Sequence, residues 1–382
     1  MRDSRAGRCN ATSTGSAEND GETDPANRPP SRAATNDRIM RRTRPIGLNV
    51  FIRPRKNRSL QALRRTLQNL FGLKSETSDP AVLFSNRFSD LLSSTAIATA
   101  RPTLLEGKAL SQEVESISFR FSDLLKNRNT FLAAAWTLRR QGIICLREAA
   151  PADLIASINR DVGLLLEEIE SGDHGRLASE AYLNLPDQRV LKGYNQFRDA
   201  DRPVINYRVK RPDGRSGSDA GMIDIFHPER LSDSLNNSIR TCLQESVIQR
   251  LLLVSSLNRM RVKCRNLYLN RGVQDTRSYH CDGRSLKFKS FVYLSDVQSL
   301  ADGPYCFVPK SQRRRRLWWR NARYNKRQGL GPFEFSQLQG TEAISLFAKA
   351  GDMVLSSQRG AHCGHPQHPQ ASRAVLVNMF QR

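Results

Sequence analysis

Along the chain the pattern of apolar and polar positions changes texture three times. From Met1 to about Arg58, Ser, Thr, Asn, Pro and Arg dominate and large apolar residues are few. Such a stretch cannot bury enough surface to offset its chain entropy, so residues 1–58 are expected to form a disordered basic segment. Next, Leu60, Leu63, Leu67 and Leu70 recur at helical spacing with Arg64 and Arg65 opposite them. This predicts a short basic amphipathic helix that docks on its own protein. Arg87-Phe88-Ser89-Asp90-Leu91-Leu92 returns almost unchanged as Arg120-Phe121-Ser122-Asp123-Leu124-Leu125. Two copies fall short of a solenoid, so they read as similar helical pieces or as coincidence. Residues 59–129 are therefore expected to be a helical extension.

A compact domain is expected over residues 130–382. Thr130 to Arg140 predicts a helix stopped by Gly142, and Ile143-Ile144-Cys145-Leu146 a short apolar strand. Pro151 opens a second helix, with Leu154, Ile155, Ile158, Val162, Leu165, Leu166 and Ile169 on one face and Gly172 at its end. Gly221 to Phe226 reads as a strand or buried turn, and Ser232 to about Leu253 as one helix. Then strands take over: Arg261 to Leu269 and Lys287 to Leu294 alternate, and Tyr305 to Val308, Met353 to Leu355 and Ala374 to Val377 are apolar runs. Helices first and short strands afterwards predict an α+β chain whose C-terminal half is a β-sandwich or barrel.

Composition narrows the partners. The 382 residues carry a formal charge of +23, and only 38% are hydrophobic. That field favours anionic partners, although guanidinium-rich surfaces are also simply soluble ones. The seven cysteines are odd in number and form no Cys-x-x-Cys pair. Neither a disulfide framework nor a zinc ribbon is suggested, and a reducing, cytoplasmic setting fits. The first twenty residues have no apolar core of the kind a secretory signal needs, and no apolar run reaches the length of a membrane span.

The chain has six histidines. In Tyr279-His280-Cys281-Asp282-Gly283 a His and an Asp stand two apart, so on an extended strand both face one side. An imidazole and a carboxylate together suit a borderline cation such as iron(II). A third ligand is required from elsewhere, and the strand from Gly351-Asp352 leads to Gly360-Ala361-His362. Two His and one carboxylate leave three positions open, the arrangement of non-haem iron oxygenases. Arg373, eleven residues after His362 and at the head of an apolar run, could hold the far carboxylate of a dicarboxylate cosubstrate through a bidentate pair.

These segments resemble the phytanoyl-CoA dioxygenase family. The resemblance is carried by Tyr279 to Gly283, by Phe291-Val292-Tyr293-Leu294-Ser295-Asp296-Val297, and by Asp302-Gly303-Pro304 through Pro309-Lys310-Ser311. Gly351-Asp352 through His362 to Arg373 completes it. The order and spacing agree over roughly residues 130 to 382, best after Arg261. The resemblance implies a double-stranded β-helix (jelly-roll) core with supporting N-terminal helices. It implies iron(II) held by His280, Asp282 and His362, with Arg373 binding 2-oxoglutarate. It implies a dioxygenase that consumes O2, releases succinate and CO2, and hydroxylates a C–H bond of a small metabolite, with the positive charge leaning towards an anionic one. Related halogenases replace the carboxylate ligand, so Asp282 argues against halogenation. His365 and His368 compete with His362 for the third position, and the interval to Arg373 favours His362.

Other features have simpler readings. Gln312-Arg313-Arg314-Arg315-Arg316-Leu317-Trp318-Trp319-Arg320 is expected to be a solvated loop edge near the site mouth, or a place that recruits an anionic substrate. The same run supports the alternative of a nucleic-acid-binding protein that uses the fold as a scaffold. A zinc module built on His362, His365 and His368 has poor tetrahedral spacing and leaves Asp282 and Arg373 without a role. Asp224 and His227 lie in an apolar setting, where a satisfied buried Asp and a substrate contact are equally expected.

Overall fold

The computed structural model describes residues 100–382 apart from positions 173, 174, 213 and 215. The expected disordered segment, the Leu60–Phe71 helix and the first copy of the repeated phrase lie outside the described residues.

Thirteen strands are described: β1 (Thr103–Leu104), β2 (Ser118–Arg120), β3 (Ile143–Arg147), β4 (Tyr182–Asn184), β5 (Val204–Tyr207), β6 (Met222–Phe226), β7 (Arg261–Arg271), β8 (Lys287–Tyr293), β9 (Tyr305–Phe307), β10 (Glu342–Leu346), β11 (Met353–Ser357), β12 (His362–Gly364) and β13 (Ser372–Gln381). They form a nine-stranded sheet in the order β2-β3-β11-β8-β13-β7-β6-β5-β4 and a four-stranded sheet in the order β1-β10-β9-β12. From β7 onward the chain alternates between the sheets: β7 and β8 in the large one, β9 and β10 in the small, β11 back in the large, β12 in the small and β13 in the large. This winding is the double-stranded β-helix that the resemblance implies.

Strand alternation explains the two cores. On β3, Ile143 and Cys145 point between the sheets, while Ile144 and Leu146 point outward to the helices. The inner core joins Phe291, Tyr293, Val354, Val375 and Val377 of the large sheet to Tyr305, Phe307, Ile344 and Leu346 of the small one. The outer core packs that sheet's other face against four helices, Arg128–Gln141, Ala152–Glu170, Asp233–Leu243 and Glu245–Ser256. A strand buried on both faces reads as a continuous apolar run, which is why β3 is so plain in the sequence.

The helix starts and stops follow local chemistry. The Asn127 side chain accepts from the amides of Asn129 and Thr130, which caps Arg128–Gln141. Gly142 closes that helix with φ +85°, a left-handed conformation that favours glycine. The single helix expected over Ser232 to Leu253 is two helices: Gln244 adopts φ 48° and breaks the ladder. Both halves keep buried apolar residues in the outer core, so the periodicity hides the break.

The described part of the expected helical extension, from Ala100 to residue 129, is built into the body. β1 pairs with β10 and β2 with β3. Leu110, Ile117, Phe121 and Leu124 are buried. The second copy of the repeated phrase spans the end of β2 and the helix Phe121–Lys126. The arginine run was expected to be a loop edge and is instead the start of a helix, Arg315–Arg327. Its Leu317, Asn321 and Asn325 turn inward at four-residue spacing, while Arg315, Arg316, Arg323 and Arg327 are exposed. With one leucine among the three buried positions, the apolar stripe is too thin to see beside so many charges. No helix of the described residues is long and apolar enough to cross a membrane.

Candidate metal centre

His280, Asp282 and His362 converge. One ligand atom from each lies within 4.8 Å of the other two. Backbone pairing makes this possible. The His280 amide donates to the His362 carbonyl (2.9 Å) and the His362 amide to the His280 carbonyl (3.0 Å). On its other side the 279–282 segment is held by two bonds, from the Cys281 amide to the Phe333 carbonyl (2.9 Å) and from the Phe335 amide to the Tyr279 carbonyl (2.7 Å). The Asp282 amide then donates to the Gln358 carbonyl (2.8 Å). So the extended conformation expected of the His-x-Asp segment is enforced from both edges.

Both imidazoles are oriented by carbonyls. Nδ1 of His280 meets the Ser278 carbonyl at 2.8 Å, and Nδ1 of His362 meets the Gly360 carbonyl at 2.9 Å. Each Nδ1 therefore carries the proton, and each Nε2 presents a lone pair. The rings stand 4.5 Å apart, and the Tyr305 ring packs 5.6 Å from His362. Burial, with His362 beside it, pushes the His280 imidazole well below its usual range, which keeps it neutral and able to ligate.

The carboxylate is shared between two environments. Oδ1 of Asp282 lies 3.8 Å from His280 Nε2 and 3.7 Å from His362 Nε2, whereas Oδ2 lies 2.8 Å from Lys289 Nζ. Burial opposes the charge on Asp282, but Lys289 and the two histidines overcome it and hold the carboxyl well below its usual range. Lys289 sits on β8 with Phe291 and Tyr293, so it rises from the large sheet into the interior. Sequence reading missed this residue. The signal was a lysine in alternation with Phe291 and Tyr293 on one face of the strand.

Arg373 is the second residue of β13. It shares the inward face with Val375, donates to the Gly303 carbonyl, and leaves its Nε buried without a partner. His365 and His368 stay outside the cluster. Their amides donate to the carbonyls of Pro304 and Ala301, and Nδ1 of His365 faces the Pro366 carbonyl. Asp224 is pinned through Oδ2 by Arg208 Nε (2.6 Å) and Asn206 (3.3 Å), while its Oδ1 has no partner. Nε2 of His227 meets the Arg198 carbonyl at 2.8 Å. Asp352, in the Gly351-Asp352 motif, is structural: it accepts from Arg147 Nη1 (2.7 Å) and from the Glu148 and Lys349 amides (each 3.0 Å).

The basic helix Arg315–Arg327 supports the centre from outside. Nδ2 of Asn325 donates to the carbonyls of Gly331 and Glu334, and that of Asn321 to Gln337. These bonds fix the 331–337 segment that flanks His280. The Arg284 guanidinium, two residues past Asp282, lies 4.4 Å from the Trp318 ring centre.

The donor set fits iron(II): two imidazole nitrogens and one carboxylate oxygen on one face. Among the described residues, no further His, Cys, Asp or Glu joins the group. The buried, unpartnered Arg373 Nε leaves a cation on the inner face of β13 with a free donor, which fits a carboxylate guest.

No family model matches the chain, and no curated protein matches it. Several solved structures are similar. The epimerase SnoN, in complex with Fe3+, alpha ketoglutarate and nogalamycin RO, shares 14% identity over 67% of this chain and 84% of its own, with a TM-score of 0.43. AviO1 from Streptomyces viridochromogenes Tue57 shares 16% over 65% and 94%, with a TM-score of 0.41. EctD from S. alaskensis with bound Fe shares 16% over 65% and 75%, with a TM-score of 0.39. These are distant likenesses.

Proposed function

We propose that this chain is an iron(II)- and 2-oxoglutarate-dependent dioxygenase that hydroxylates a C–H bond of a small metabolite. The observation that supports it best is the convergence of His280, Asp282 and His362, each presenting one ligand atom to a common point. Iron bound there, with 2-oxoglutarate and O2, supplies oxidation of a C–H bond coupled to release of succinate and CO2. The protein's own residues supply the rest. The Ser278 and Gly360 carbonyls fix the tautomers of His280 and His362. Asp282 supplies the negative ligand and is the residue a halogenase would lack. Arg373 binds the far carboxylate of 2-oxoglutarate, exchanging its bond to the Gly303 carbonyl for a charge-assisted pair. The inner cores of both sheets keep water from the reacting atoms. The phytanoyl-CoA dioxygenase-like order of these segments agrees with this reading, and the net charge of +23 leans towards an anionic substrate.

The test is succinate formation from 2-oxoglutarate under air, with and without iron(II). Slow turnover in wild type that requires iron and disappears in His280→Ala and His362→Ala supports the reading. Folded wild type that neither binds iron(II) nor forms succinate overturns it.

A further inference from the structure

Lys289 has no part in the ligand set, yet it occupies the interior beside it. Its Nζ lies 2.8 Å from Oδ2 of Asp282, and its side chain is 13% exposed. On β8 it is flanked across the sheet by Met379 of β13 and Ser356 of β11, neither of which can neutralise it. Asp282 is the anionic partner of its ammonium. A buried lysine with one charged partner is costly for folding alone, since an apolar side chain would pack there without desolvation.

The division of the Asp282 carboxylate shows what that cost obtains. The oxygen facing both His Nε2 atoms is Oδ1, and the oxygen facing Lys289 is Oδ2. We propose that Lys289 is a positioning residue for the metal centre: it occupies Oδ2 so that Asp282 offers the metal a single oxygen, and its charge biases the centre towards a dianionic cosubstrate. This rests on the oxygenase reading above. One-oxygen ligation by Asp282 keeps three positions open on a six-coordinate ion, as many as a chelating 2-oxoglutarate and O2 require. The charge balance points the same way. A divalent ion with one carboxylate carries +1, and Arg373 and Lys289 raise the local sum to +3, so Lys289 adds to the attraction for the dianionic 2-oxoglutarate. The same ammonium repels the incoming metal ion. Lys289 therefore opposes metal binding and favours cosubstrate binding.

Opposite signs make this testable. The full-length protein, stripped of metal, would be titrated with cobalt(II) followed by visible absorption. The cobalt-loaded protein would then be titrated calorimetrically with 2-oxoglutarate. In Lys289→Met, cobalt should bind about tenfold or more tighter and 2-oxoglutarate about tenfold or more weaker. Lys289→Gln keeps a donor for Oδ2 without the charge, so cosubstrate affinity should fall there too. Lys289→Arg keeps the charge, and both affinities should stay within about threefold of wild type. A purely structural lysine would give variants that lose both affinities together. Weaker or unchanged cobalt binding in folded Lys289→Met or Lys289→Gln overturns the proposal. Wild type that binds no cobalt would instead count against the oxygenase reading itself.

Discussion

His280 and His362 face each other as a hydrogen-bonded antiparallel pair, exchanging both backbone bonds with their rings 4.5 Å apart. Two of the three proposed metal ligands are thus set by strand register. A slip of one residue would turn either ring to the opposite face.

Gly360 is the weak point of that register. A Cβ there would sit 2.4 Å from Cζ of Phe307, a fully buried ring, and 3.1 Å from Oγ of Ser311. Its carbonyl also accepts from His362 Nδ1. Gly360→Ala should therefore displace the loop before His362 and weaken metal affinity about 10- to 100-fold, the usual cost of disturbing a ligand's orienting partner. Calorimetric titration with cobalt(II) on folded protein measures this, and unchanged affinity would contradict it.

Arg373 is expected to act on the cosubstrate and leave the metal alone. Arg373→Ala should raise the dissociation constant of 2-oxoglutarate about 100-fold, as for loss of a charge-assisted pair. Cobalt(II) affinity should stay near wild type. Calorimetry on the metal-loaded protein reads the first and titration of the stripped protein the second.

Stability should depend on the outer core independently of the site. Ile144 is fully buried on β3, facing the helices. Ile144→Ala should cost about 2–5 kcal/mol, the range for deleting a buried aliphatic side chain. Urea unfolding followed by circular dichroism gives the value, and a change under about 1 kcal/mol would mean that this packing is wrongly described.

Acid sensitivity should track Glu229. Burial raises its carboxyl pKa, but His227 and Arg265 overcome that and hold it below the ordinary value of 4.5. A carboxyl lowered in the folded state contributes stability above its unfolded value and loses it as pH falls through the folded one. Glu229→Gln should therefore be less stable than wild type near neutrality, with the gap narrowing below about pH 4.5. Thermal melts across pH 3 to 7 measure the gap, and a constant difference would contradict the assignment.

Much of this fold is legible in the chain, and what is hidden has physical reasons. β3, β8 and the helix Ala152–Glu170 announce themselves because burial on one or both faces leaves a regular apolar pattern. β13 runs further than its apolar stretch, through Asn378 and Gln381, because β7 and β8 hold its backbone on both sides whatever its side chains are. β4 and β5 are obscured by the buried amides Asn184 and Asn206, which bond each other instead of matching an alternating code. The three converging residues stand out because a His-x-Asp pair needs only strand geometry. Lys289 does not, since its meaning depends on a partner seven positions earlier that folds back against it.

The most direct measurement is anaerobic titration of the stripped protein with iron(II) and 2-oxoglutarate, watching for the visible charge-transfer band of a chelated keto acid. A band is expected in wild type and His365→Ala, absent from His280→Ala and His362→Ala, and reached only at far higher 2-oxoglutarate in Arg373→Ala. Folded wild type without a band, or a band that survives loss of His362 and vanishes with His365, would contradict the account.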